Sequence, residues 1–244
     1  MALVEVAGLP EGEVHAPGVR FVRDRGRSSG NIGGVRLGGA LNFTDGFDSF
    51  DESRWTKGDH NLGRSYLDPN NIGVSNGNLE IKLPARTLEG GEIVSDDLYG
   101  YGSYAARIKV PNAPSSITGF FLYEPPDHAS EIDIEIYNDS SRKIIFSTYA
   151  GGRQTHSQTM LLPFDPTVGF HEYRFDRAPG SVKFYADGRL MKKWTTGLPR
   201  HQMKLYVNAW YPRWLAGKSH DADRFVLVDQ IRHVQYEQRR GHRR

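Results

Sequence analysis

No cysteine occurs in the 244-residue chain. That excludes a disulfide framework, a thiolate zinc site and a cysteine nucleophile. Long apolar runs are also missing; none approaches the ~20 residues that a membrane-spanning helix needs. The opening Met-Ala-Leu-Val-Glu-Val has neither the basic region nor the apolar stretch of an export signal, so no signal peptide is visible. Charge of one sign is not in excess. Against 31 basic residues stand 29 acidic ones, a net charge of +2, which implies neither nucleic acid nor a membrane surface as partner. The nine histidines show no His-Glu-x-x-His spacing, so no catalytic metal is expected. Gly26-Arg-Ser-Ser-Gly30 fits the spacing of a hydrolase nucleophile elbow but lacks the strand and helix that chemistry requires. Gly100 and Gly102 lead into a strand rather than a helix, so no dinucleotide is implied. Helical periodicity is absent too: no stretch of about ten residues repeats at 3.6.

What is present reads as β-structure. Apolar and polar residues alternate through Leu79–Leu83, Ser103–Val110, Glu131–Ile136 and Ser181–Tyr185. Asn76-Gly77, Pro179-Gly180 and Asp187-Gly188 punctuate them with turn chemistry, and Ser181–Trp194 reads as a hairpin closed at Asp-Gly. A chain of this length buries roughly 70% of its unfolded surface and needs no cross-links to build a core. The reading is a β-sandwich over residues 41–237. A Gly- and Arg-rich extension covers residues 1–40, and a basic tail covers 238–244.

The most informative segment is Ser130-Glu-Ile-Asp-Ile-Glu-Ile-Tyr137. In a strand its isoleucines face one way and Glu131, Asp133 and Glu135 the other. A solvated acidic face is the ordinary reading of such a pattern. Acidic residues are depleted in strands, however, and like charges on one face repel. Retaining glycoside hydrolysis offers a reason to tolerate that repulsion, since it needs two carboxyl groups roughly 5–5.5 Å apart. Residues four apart on a strand have Cα atoms about 13 Å apart, a gap that two glutamates leaning together on a bent strand can largely close. The aspartate between them disfavours ionisation of its neighbours and helps keep one glutamate protonated.

Glu-Ile-Asp-Ile-Glu in an all-β chain resembles the active-site motif of glycoside hydrolase family 16, with the nearest likeness to bacterial lichenases. The resemblance covers residues 43–237. It extends through Tyr99–Pro111, Thr118–Tyr123, Gly169–Tyr173, Val182–Gly188 and Val207–Trp210, in the family's order. It implies a concanavalin A-like β-jelly roll of two curved antiparallel sheets with a glycan cleft across the concave one. Glu131 would be the nucleophile, Glu135 the acid/base and Asp133 the assisting residue. Glu92, Tyr149, His156, Asn208 and Trp210 would line the cleft, with Trp210 stacking on a sugar ring. The motif lacks the extra residue common in laminarinase-like members, which favours the lichenase-like or xyloglucan-acting side. Ala129-Ser130 and Val94 stand where the lichenase pattern has Trp-Asp and Arg, which removes contacts on the glycone side. Asp229 and the backbone carbonyl of Gly77 match two ligand positions of the family's structural calcium, a chemically adequate pairing; no cofactor is expected for catalysis.

The implied activity is a retaining endo-β-glucanase, monomeric, acting outside the cell or at its surface on β-1,3-1,4- or β-1,3-linked glucan. The alternatives are transglycosylation, hydrolysis of another β-glycan, and glycan binding without turnover. Asn42 and Asn138 begin glycosylation sequons, relevant only in a secreting eukaryotic host.

Overall fold

The structure, a computed structural model, describes residues 42–236. The expectations for residues 1–40 and 238–244 lie outside them, as do the outermost residues of the 41–237 span. Two large antiparallel sheets stack face to face. The back sheet runs β15 (Arg189–Trp194), β14 (Ser181–Ala186), β13 (His171–Ala178), β8 (Gly102–Lys109), β17 (Arg224–Gln235), β6 (Asn78–Leu83), β5 (Ile72–Ser75), with β1 (Phe43–Asp45) also paired to β17. The front sheet runs β12 (Gln154–Leu161), β11 (Lys143–Ala150), β10 (Ser130–Tyr137), β9 (Ile117–Glu124), β16 (Lys204–Trp210), β7 (Gly91–Ser95), β2 (Trp55–Lys57). A small hairpin of β3 (His60–Leu62) and β4 (Ser65–Leu67) stands apart. Among the described residues the only helical element is a single 3-10 turn, Pro69–Asn71. This is a jelly roll.

Turn chemistry closes the hairpins where the sequence predicts. Asn76-Gly77 and Asp187-Gly188 both place two consecutive residues at positive φ (52° and 68°, 46° and 74°), the type I′ arrangement whose twist matches the flanking strands. Alternation sets the core. Leu79, Ile81 and Leu83 on β6 and Tyr173 and Phe175 on β13 meet Ile132, Ile134 and Ile136 on β10 and Phe146 on β11 between the sheets. Each fully buried isoleucine contributes roughly 1.5–3 kcal/mol.

Among the described residues the front sheet has no ordinary solvated face. β9, β10, β11 and β16 are buried along most of both faces. Their outer face is covered by apolar side chains of its own, among them Phe121, Tyr123 and Tyr206, and by Leu62 and Leu67 of the β3–β4 hairpin against Ile117 and Trp210.

Candidate active site

Residues opposed across an antiparallel sheet share a face, and neighbouring strands lie about 4.8 Å apart, so the pairing register lays out the cleft floor in rows. In one row Glu135 stands opposite Gly119, Gly119 opposite Asn208, and Asn208 opposite Glu92. In the next, Asp133 lies between Ser147 and Phe121, with Tyr206 beyond. In the third, Glu131 lies between Tyr149 and Tyr123. Glu131, Asp133 and Glu135 therefore line one cavity together with Glu92, Asn208 and Trp210.

The three acids are not a solvated face. Glu131 is 1% exposed, Asp133 4% and Glu135 7%. Burial, followed by the charge and hydrogen bond of Asp133 and the charge of Glu135, raises the Glu131 pKa well above the ordinary glutamate value. Burial also pushes Asp133 up to about 7, against the lowering effect of its hydrogen bonds with Glu131 and Ser147. The Ser147 hydroxyl donates to Asp133 Oδ2 at 2.9 Å. Burial and the neighbouring carboxyl group thus make this pair hold a proton more readily than free carboxylates do. Glu131 Oε2 remains buried without a hydrogen-bond partner. Such a floor can hold one carboxyl group protonated beside an ionised one, as acid-plus-nucleophile chemistry demands.

Asn208 Nδ2 donates to Glu92 Oε2 at 3.0 Å, and His60 Nε2 meets Glu92 Oε1 at 2.9 Å. The missing side chain at Gly119 makes room for this arrangement, since a Cβ there would stand 2.6 Å from Asn208 Oδ1. Trp210 is 2% exposed. It packs with Leu62, Leu67 and Ile117 and joins the cavity wall rather than standing open as a platform. Tyr149 lies beside Glu131; its hydroxyl accepts from Gln154 and its ring stacks on His128 at 5.0 Å.

One expectation, His156 in the cleft, is corrected by the geometry. His156 stands opposite Thr148, which itself stands opposite the core residue Ile132, so it faces between the sheets and not into the cleft. There its Nδ1 meets the Thr148 hydroxyl at 2.9 Å and its ring stacks on Trp194. Asp229 sits at a bulge in β17, with its carboxylate ion-paired to the Arg107 guanidinium. The Arg107 side chain is half exposed, and Asp229 Oδ1 is buried without a hydrogen-bond partner. The Asn138 sequon is internal as well: its side chain is fully buried, accepting from Thr118 and donating to Ser116.

Sequence reasoning missed His60, Leu62, Ser147 and Phe121. Phe121 and Ser147 were within reach, since alternation from Gly119 and register against Asp133 put them on the cleft face. His60 and Leu62 sit in a short hairpin with no periodic pattern, and only tertiary packing brings it to the cleft.

Residues 63–223 match the sequence model of glycosyl hydrolases family 16. A beta-glucanase of Paenibacillus polymyxa is 34% identical over 172 residues, covering 66% of this chain and 72% of that protein. The chain belongs to glycoside hydrolase family 16. Among solved structures, the Bacillus licheniformis beta-glucanase superposes with a TM-score of 0.74 at 26% identity, over 80% of this chain and 98% of that one. A prokaryotic beta-1,3-1,4-glucanase (lichenase) from a mouse hindgut metagenome gives 0.72 at 25%, over 80% and 99%. The family 16 hydrolase described here thus carries its buried acids on the front sheet of the family's fold.

Proposed function

We propose that the protein is a retaining endo-β-glucanase that cleaves β-1,3-1,4- or β-1,3-linked glucan by double displacement, acting outside the cell. The observation that carries this reading is the row of three buried acids, Glu131, Asp133 and Glu135, on the floor of one cavity. The activities of its relatives, beta-glucanase and lichenase, support the substrate class.

In the first step the ionised Glu131 attacks the anomeric carbon. The bond to the departing sugar's oxygen breaks as Glu135 gives that oxygen its proton, leaving a glycosyl ester on Glu131. In the second step Glu135 takes a proton from water, the water oxygen bonds to the anomeric carbon, and Glu131 leaves. Glu131 must be free of its proton to attack. Asp133, hydrogen-bonded to it and steadied by Ser147, is the group positioned to take that proton.

Incubation with barley mixed-linkage glucan, laminarin and xyloglucan, followed by reducing-end assay and NMR of the first-formed anomer, tests the reading. Hydrolysis of one of the first two with retained β-configuration is expected. Glu135→Gln should lower turnover about 10²–10⁴-fold; near-normal turnover in that variant would remove Glu135 from its role.

A further inference from the structure

The buried Glu92 is held from two sides, by Asn208 and by His60. Asn208 Nδ2 donates to one of its oxygens and His60 Nε2 meets the other. Glu92 is 1% exposed, while the His60 side chain keeps 14% of its surface open at the cleft margin. The other ring nitrogen, His60 Nδ1, lies 3.2 Å from the backbone carbonyl of Asn61. Both partners are acceptors only. A neutral imidazole has one N–H and can satisfy only one of them, whereas an imidazolium donates to both.

The approach is built in. Gly58 donates its N–H to the Glu92 carbonyl at 2.9 Å, and a Cβ at Gly58 would stand 2.8 Å from Glu92 Cβ. Only a glycine lets the loop between β2 and β3 close on β7 and deliver His60. Beyond Glu92, the carboxylate can only accept, so it orients the Asn208 amide with Nδ2 toward itself and Oδ1 toward Gly119. Asn208 Oδ1 is buried without a partner in the wall that also holds Glu135. A sugar hydroxyl seated there would find a free acceptor whose direction is set by the line His60, Glu92, Asn208.

We propose that His60 is a positioning residue of the cleft: as an imidazolium it locks Glu92 and, through it, Asn208, so that affinity for a neutral glycan chain falls as His60 loses its proton. This rests on the glucanase reading above. The charged groups acting on the ring are both acids. Glu92 comes from β7, and Asp59, just before β3, is itself held by the Tyr66 hydroxyl of β4. The nearby cations are engaged elsewhere, Lys57 on the Ile72 carbonyl and Arg213 on that of Gly63. Burial opposes the charged ring, but the hydrogen bond and charge of Glu92, the Asn61 carbonyl and Asp59 outweigh it and raise the His60 pKa. The sign follows: the lock is fully formed below the ordinary histidine value and is lost as pH climbs through the raised one.

The test separates binding from turnover. KM for mixed-linkage glucan should rise about tenfold on the alkaline side of the histidine range, beyond any change in kcat. His60→Gln keeps a donor toward Glu92 without the charge. It should show the raised KM at every pH, with a flat profile and kcat within about twofold. Calorimetry of a glucan oligosaccharide on Glu135→Gln protein reads the same affinity without chemistry. Equal affinity with and without His60→Gln, or a wild-type KM that ignores pH, overturns the proposal. If His60→Gln fails to fold, the wild-type profile decides alone. A protein that neither hydrolyses nor binds any glucan of the panel defeats the glucanase reading itself, and the inference with it; cleavage with an unchanged His60 variant defeats the inference only.

Discussion

Acidic residues stand in rows on both outer faces of this sandwich, and they behave in opposite ways. On the back sheet, Glu172, Asp176 and Asp229 sit among Arg174, Arg232 and Arg107. Glu172 and its partner Arg232 remain 39% and 47% exposed. Water and a cation within reach neutralise each charge, which is the usual and weakly stabilising surface arrangement. On β10 of the front sheet, Glu131 and Asp133 are buried and joined to each other, and Glu135 stands beside them in the same cavity. The residue types are alike. Solvent and nearby cations decide whether an acid is a surface charge or a reactive group.

Three variants break or sharpen that contrast. The largest effect is expected at Asp133→Asn. Glucan turnover should fall about 10–100-fold, because Glu131 loses the group positioned to take its proton. Its stability should move the other way. The Asp133 pKa is about 7 in the fold against 3.8 ordinarily, so the fold holds a proton that the unfolded chain releases. An acid raised in this way costs stability progressively as pH climbs from about 4 to about 7. Asp133→Asn should therefore melt higher than wild type at mildly alkaline pH, with the advantage shrinking toward pH ~4. A melting difference independent of pH would contradict the assigned environment.

Next comes Gly119→Ala. Its Cβ would press within 2.6 Å of Asn208 Oδ1, so the amide must shift. KM should rise about tenfold while circular dichroism stays unchanged; an unaltered KM would show that the amide does not contact substrate. The smallest effect belongs to the back sheet. Glu172→Ala removes contacts of 3.9 Å to Arg174 and Arg232. Chemical denaturation should register a change within ~0.5 kcal/mol, and turnover should be untouched.

Much of the fold was legible because strand alternation and turn chemistry act locally. Leu79, Ile81 and Leu83 point inward by parity alone, and Asp187-Gly188 closes its hairpin because both residues accept positive φ. The acidic strand was legible for the opposite reason, since Glu131, Asp133 and Glu135 violate what a strand ordinarily tolerates. The expectation failed at His156. Resemblance had placed it in the cleft, but the register that turns it toward Thr148 and Trp194 is a property of the β11–β12 pairing. The Arg107 that pairs with Asp229 is likewise beyond any local pattern, 122 positions away in sequence.

By itself the chain determined which residues alternate, where it turns, and that three acids share one face, because backbone geometry sets side-chain direction residue by residue. Only the tertiary structure decided that this face is dry, that Ser147 steadies Asp133, and that His60 reaches Glu92. Those contacts join strands and loops distant in sequence, and the pKa of a buried group depends on everything packed around it.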